Sequence, residues 1–161
     1  GTQVQDKTES GNIGEAICLY DKRRGIVALR DDDLKAAIDR IPGTKIIILD
    51  SCFSGGMDRG AVEPGLLRKY IAYPHMEIYR SYITRDVYRL TPQYFLFACG
   101  EGQVSYSTGN GGTFTLALKK CDMFNYRSLS KILNLTKIIV FAYGQTPTAH
   151  IVGGSYSKKI L

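Results

Sequence analysis

The apolar positions of this chain change rhythm several times, and each change predicts an element. Residues 1–13 are polar and contain glycine, with no periodicity, and read as a loop. Glu15 to Tyr20 and Gly25 to Leu29 are short apolar-rich runs on either side of the turn-like Asp21 to Arg24, a pattern that predicts a hairpin. Leu34, Ala37, Ile38 and Ile41 then fall at i, i+3, i+4 and i+7, which is one face of a helix. Asp31 or Asp32 supplies a cap at its start, where acids also suit the positive end of the helix dipole, and Pro42-Gly43 stops it.

Thr44 to Leu49 is a continuous β-branched and aliphatic run and reads as a buried strand. From 57 to 92 the chain is irregular, rich in Arg and Tyr, and broken by Pro64 and Pro74. A long segment of this kind inside a compact domain is characteristically functional or mobile. Gln93 to Cys99 reads as a second buried strand ending at Gly100. Glycines at 109 to 112 lead to Thr113, which suits a cap for a helix through Lys120, and another helix starts near Ser128. Lys137 to Tyr143 stays open on pattern alone. Its β-branched and aromatic residues favour a strand, and its position favours continuation of the helix before it. Apolar strands alternating with helical patterns in one chain of 161 residues predict a single α/β domain.

Composition narrows the setting. No apolar run approaches the ~20 residues that span a bilayer, and the first residues lack a basic-then-apolar signal pattern. The four cysteines (Cys18, Cys52, Cys99, Cys121) form no CxxC pair and have no histidine at metal spacing, which argues against a disulfide framework or zinc site and for a reducing, cytoplasmic setting. The net charge of +6 raises the question of nucleic acid. Its sources, at 22–24, 68–69, 119–120 and 158–159, are spread thinly and lie in no aromatic-interleaved stacking motif, so they read as a solvated basic surface.

The chemistry concentrates where the first apolar strand ends, at Asp50-Ser51-Cys52-Phe53-Ser54-Gly55-Gly56. The carboxyl end of a strand in a parallel sheet is where reactive groups meet a crevice, and glycines let the backbone turn sharply there. Two readings of Cys52 stand on the residues alone: a nucleophile at a strand-to-loop corner, and a buried structural thiol. Asp50 likewise reads either as a substrate-facing acid, since i and i−2 on a strand share a face, or as a strand-end acid bonding to loop amides.

The segment from Leu49 to Gly56 resembles the catalytic-cysteine block of metacaspases and the related prokaryotic caspase-like peptidases, the orthocaspases. Further blocks resemble that family in the same order. They are Gly14 to Cys18 with Asp31-Asp32-Asp33-Leu34, then Phe97 to Gln103 with Gly112 to Leu118, then Gln145-Thr146-Pro147-Thr148. The resemblance covers nearly the whole chain. It implies a caspase-like α/β fold, with a mostly parallel central sheet flanked by helices, and it favours helix for 128–143.

It also implies a function: a cysteine endopeptidase cutting after Arg or Lys through a Cys-His dyad. Cys52 is then the nucleophile, Asp50 the acid that receives the basic side chain, and the backbone N–H groups of Cys52 and Gly1 the oxyanion donors. Asp31 and Asp32, with Asp58 farther on, match an acidic set that binds activating calcium in many metacaspases. The family's histidine lies in a Ser-Gly-His-Gly-Thr-like strand end, and Gly1-Thr2-Gln3 looks like what directly follows it. His75, in the irregular loop, and His150, beyond the Gln-Thr-Pro turn, are poor substitutes, so the expected base lies upstream of Gly1. The chain is then the carboxyl-terminal part of the domain, and an upstream fragment of that domain is its expected partner. Bonds after Arg59, Arg68 or Lys69 would suit self-processing. The competing readings are a caspase-like scaffold without catalysis, a nucleotide-binding α/β domain using Ser54-Gly55-Gly56 as an anion turn, and a nucleic-acid module. The second has no GxGxxG or GxxxxGK[ST] to support it.

Overall fold

A computed structural model describes residues 1–5, 13–51, 67–68, 77–78, 91–100, 103–121 and 128–157. Among them are three helices and three small sheets, so the fold is mixed α/β. The first sheet is built from β1 (Thr2–Gln5), β2 (Ile13–Asp21), β3 (Gly25–Arg30) and the two-residue β6 (Glu77–Ile78), in that spatial order. The predicted hairpin is β2 and β3, paired antiparallel from Ala16↔Arg30 to Asp21↔Gly25. Asp21 closes its turn by accepting from the backbone N–H groups of Arg23 (2.8 Å) and Arg24 (3.0 Å), and Gly25 takes φ +77°, where a side chain would be strained. Those two N–H bonds, foremost that of Arg23, hold the Asp21 carboxyl below the usual carboxylate range.

The loop expected over residues 1–13 is corrected at its described strand residues, 2–5 and 13. β1 pairs antiparallel with β2 in the register Thr2↔Ala16 to Gln5↔Ile13. Thr2 and Val4, at 4% and 6% exposure, are its buried positions, and Val4 packs with Ala16 and Ala28.

α1 (Asp31–Asp39) follows β3 without a connecting loop. Its N-cap is Arg30, not Asp31 or Asp32, so the three acids Asp31, Asp32 and Asp33 occupy the first turn and act through the dipole. The helix also ends earlier than its pattern predicts. Ile38 is buried, but Ala37 is exposed and Ile41, beyond the last turn, is 55% exposed. Pro42 forces this, since the residue before a proline is driven out of the helical region.

The second sheet positions the site. It consists of β4 (Lys45–Leu49), β7 (Gln93–Phe97) and β10 (Thr148–Val152), with β7 in the middle. β4 runs parallel to β7 and β10 antiparallel to it. The third sheet, β5 (Leu67–Arg68), β8 (Tyr106–Thr108) and β9 (Gly111–Gly112), is antiparallel. The expected mostly parallel sheet is therefore corrected. Two helices, α2 (Thr113–Lys120) and α3 (Leu129–Val140), intervene between β7 and β10, and an even number of passes returns the chain pointing the other way. β1, β2 and β3 are joined in sequence as hairpin neighbours, which pair antiparallel.

The central core lies between that second sheet and α2 and α3. Tyr94, Leu96 and Ala98 project from the β7 segment onto Phe114 and Leu118 of α2 and Leu129, Ile132 and Leu133 of α3. The undecided stretch is helical: α3 runs to Val140 and a 3-10 turn follows at Phe141–Tyr143, closed by Gly144 at φ +67°. Packing decides this, because Ile132, Thr136 and Val140 recur at helical spacing and all lie at 0% exposure.

A hydrogen bond ties α1 to the sheet, and an ion pair within the helix holds its acceptor. Lys35 Nζ donates to Asp39 at 2.5 Å, and buried Gln93 donates its Nε2 to Asp39 Oδ1 at 2.7 Å. Burial pushes Asp39 upward, but those bonds and the charges of Lys35 and Lys45 outweigh it and hold the carboxyl below its ordinary value. A lowered folded-state pKa gives stability that is present above the ordinary value of about 3.9 and lost as pH falls through the lower one. Asp39→Ala should therefore cost about 1–2 kcal/mol at neutral pH by orphaning the Gln93 amide. The gap from the parent should shrink below about pH 4, as urea melts across pH would read.

Of the segment 57–92, the short β5 and β6 and residues 91–92 are described. β5 pairs antiparallel with β8 and β6 parallel with β3, so the segment contributes strands to two sheets. The rest of the segment lies outside the described residues.

Candidate functional site

Side-chain alternation across β4 and β7 decides what each residue of the site faces. Ile46 and Ile48 stand opposite Tyr94 and Leu96, and so lie on the α2/α3 side. Ile47 and Leu49 stand opposite Phe95 and Phe97, on the α1 side. The next residue, Asp50, returns to the α2/α3 side, and its bonds agree. Its Oδ2 accepts from the Thr115 backbone N–H at 3.2 Å and from Thr115 Oγ1 at 2.5 Å, and its Oδ1 accepts from Ser105 Oγ at 3.2 Å.

These contacts have a local cause. The first N–H groups of a helix have no partner within it, and the N-cap of α2 is Gly112, which has no side chain to offer. Asp50 satisfies one of those groups from a different element, with its negative charge at the positive end of the dipole. The expectation for Thr113 is corrected here. It is the first residue of α2 and not its cap, and its hydroxyl lies between the Tyr106 carbonyl (3.1 Å) and Gln145 Oε1.

Two glutamines hold the far side of the strand ends. Gln145, 2% exposed, donates Nε2 to the Ala98 carbonyl at 3.2 Å. Gln103 Oε1 accepts from the N–H groups of Gly100 (3.3 Å) and Thr146 (3.0 Å), and its Nε2 donates to Thr146 Oγ1. The Gln-Thr-Pro turn is thereby fastened to the end of β7 and the start of α2. Cys99, fully buried, donates its thiol to the Gln103 carbonyl at 3.4 Å and lies 3.9 Å from the Ser51 carbonyl.

The candidate nucleophile, Cys52, lies outside the described residues, as do Asp58, Arg59, Lys69 and His75. Its immediate neighbour Ser51 is described. Ser51 and Leu49 share a small pocket with Ala16 and Ile17 of β2 and with Asp31 of α1. Gly1 precedes Thr2, which pairs with Ala16, so the register carries Gly1 toward Ile17, a residue of the same pocket. The hairpin, the start of α1 and the carboxyl end of β4 thus converge.

His150 is elsewhere. It stands opposite Phe95 on β10, with its ring centroid 6.2 Å from that of Phe95, on the α1 side of the sheet. It lines a groove of about 390 Å³ with Asp31, Asp32, Leu34, Phe95 and Phe97. Asp50 is on the opposite face, so His150 and Asp50 cannot act on one group.

Asp31 and Asp32 supply carboxylates to one end of that groove. Burial, and after it the charge of Asp32, push the Asp31 carboxyl up, against hydrogen bonds from the backbone of the first turn. Asp33 is turned to Arg30, with Nε to Oδ2 at 3.3 Å. A calcium ion takes six to eight oxygens. No group of three or more His, Cys, Asp or Glu side chains that could hold a metal occurs among the described residues. Asp58, the third acid of the expected calcium set, lies outside the described residues.

Pattern reading had picked out Asp50 but not its partners Ser105 and Thr115. Reading Thr113 as the cap hides the uncapped first turn of α2 that brings Thr115 to Asp50. Ser105, isolated between Val104 and Tyr106, had no such signal. Cys18, Cys99 and Cys121 form no disulfide among the described residues. No helix among the described residues is long and apolar enough to cross a membrane. The chain matches no family model and no curated protein.

Proposed function

We propose that the chain is the carboxyl-terminal part of a caspase-like cysteine endopeptidase that cuts after Arg or Lys. The observation that carries this reading is the acid at the carboxyl end of β4, anchored on the first turn of α2, two residues before a cysteine in an Asp-Ser-Cys-Phe-Ser-Gly sequence. Cys52, as thiolate, attacks the scissile carbonyl, because the thiol itself is a weak nucleophile. A histidine protonates the leaving amine. Backbone N–H groups of Cys52 and Gly1 hold the oxyanion.

The base is proposed to come from residues upstream of Gly1, on a strand added beside β4. Among the described residues no strand pairs with the outer edge of β4, and Ile48 is 39% exposed there. An apolar, unpaired edge is a template for another strand. The buried strand expected at Thr44 to Leu49 is corrected: in β4 Lys45 is buried but Ile48 is exposed, and three successive isoleucines fit an edge that a neighbour covers.

The test is cleavage of fluorogenic peptides with Arg, citrulline or Asp before the cut, using the protein together with the histidine-bearing polypeptide. The parent should prefer Arg over its neutral isostere citrulline. Asp50→Asn should reduce that preference on the order of 10–100-fold, the weight of a hydrogen bond to a charged group. Equal cleavage of all three peptides by the parent would remove the basic specificity. One observation favours a second reading, a scaffold without catalysis: the described histidine, His150, lies on the wrong face of the sheet. An upstream polypeptide lacking any histidine would decide for it.

A further inference from the structure

We infer that Ser105 and Thr115 are positioning residues for substrate recognition, fixing the Asp50 carboxylate as an oriented acceptor for the basic side chain. The inference rests on the proposed reading of Asp50, and deepens it. A carboxylate at a strand end has free rotation about its side-chain bonds, and a cationic side chain meeting it would have to order it first, at an entropic cost. Here that ordering is done in advance. Ser105, at 0% exposure on the segment entering β8, meets one carboxylate oxygen at 3.2 Å. Thr115, on the first turn of α2, meets the other twice, through its N–H and its hydroxyl.

The two anchors are themselves held. Phe114 and Leu118 fix α2 in the core on either side of Thr115, and Thr113 is tied to the Tyr106 carbonyl and to Gln145. The carboxylate is therefore anchored from two separate elements, α2 and the segment entering β8. A guanidinium or ammonium group is recognised well by such a fixed acceptor, because the bond is directional and charge-assisted.

Ser105→Ala and Thr115→Val each remove one hydroxyl with little change in volume, and Thr115→Val leaves the backbone N–H in place. Each variant should lower kcat/KM for the Arg peptide about 10-fold, carried by KM, while leaving the citrulline peptide within about twofold. Thr115→Ser, which restores the hydroxyl, should recover the Arg preference. Alkylation of Cys52 by iodoacetamide should proceed at the parent rate in all three, a readout that general loosening would move. An unchanged Arg-to-citrulline ratio in Ser105→Ala and Thr115→Val, while Asp50→Asn abolishes it, would overturn the positioning role and leave the Asp50 reading intact. An unchanged ratio in Asp50→Asn, or no cleavage by the parent, would overturn that reading and this inference with it.

Discussion

Replacing Cys52 by alanine should abolish peptide cleavage, with a loss on the order of 10⁶-fold, the scale seen when a hydrolase loses its nucleophile. None of the other parts that this chain supplies should cost as much. Removing an oxyanion donor costs about 100–1,000-fold, and removing the Asp50 charge costs preference for the basic side chain more than turnover itself. The expected loss should come without a change in melting temperature, because the central core among the described residues is built by β7, α2 and α3. Cleavage rate on an Arg peptide, read beside a thermal melt, checks both halves. A variant that keeps more than about a hundredth of the parent rate would show that another group does the attack.

The largest expected effect on stability is at Phe114. Its side chain is at 0% exposure and packs with Tyr94, Leu96, Leu129 and Ile132 where α2 meets β7 and α3. Truncation to alanine removes that transfer free energy and leaves a cavity between elements that cannot all close on it, so Phe114→Ala should destabilise by about 3–5 kcal/mol. For a chain of this size that corresponds to a drop of roughly 6–20 °C in Tm. Phe114 is the neighbour of Thr115, so the same variant should also loosen the Asp50 anchor and depress Arg preference at temperatures where the fold survives. A melt within about 2 °C of the parent would mean that α2 does not pack on the sheet as described.

Much of this arrangement was legible in the pattern of residues, and the exceptions have identifiable causes. The hairpin of β2 and β3 announced itself through a turn with an Asp at one end and a Gly at the other. β4 and β7 announced themselves through unbroken apolar runs with breakers at both ends. The end of α3 stayed open on residue pattern alone, because Lys137 to Tyr143 has strand-like composition; the helix that the family resemblance favours there is the one observed, with every third or fourth residue buried in the core. β1 was missed because Thr2-Gln3-Val4-Gln5 is short and mostly polar. Two buried positions, Thr2 and Val4, are too few for a strand period to stand out. The direction of β10 and the edge position of β4 depend on how many elements intervene and which neighbour is present. Three isoleucines in a row do not encode that.

At the site, the acid and its alternation were readable, and the residues that hold it were not. Asp50 could be singled out because it follows an apolar strand and precedes a cysteine. Ser105 and Thr115 reach it across 55 and 65 residues of chain, a separation over which no spacing rule operates.

The central claim is that Cys52 is an activated nucleophile with an acid beside it tuned to arginine. Intact-mass spectrometry of the native protein, together with the polypeptide that carries the histidine, after exposure to an arginine-directed electrophile tests it most directly. The account predicts a single adduct, mapped to Cys52, lost in Cys52→Ala and much weakened in Asp50→Asn. A folded preparation with the histidine present and no adduct on Cys52 would contradict it.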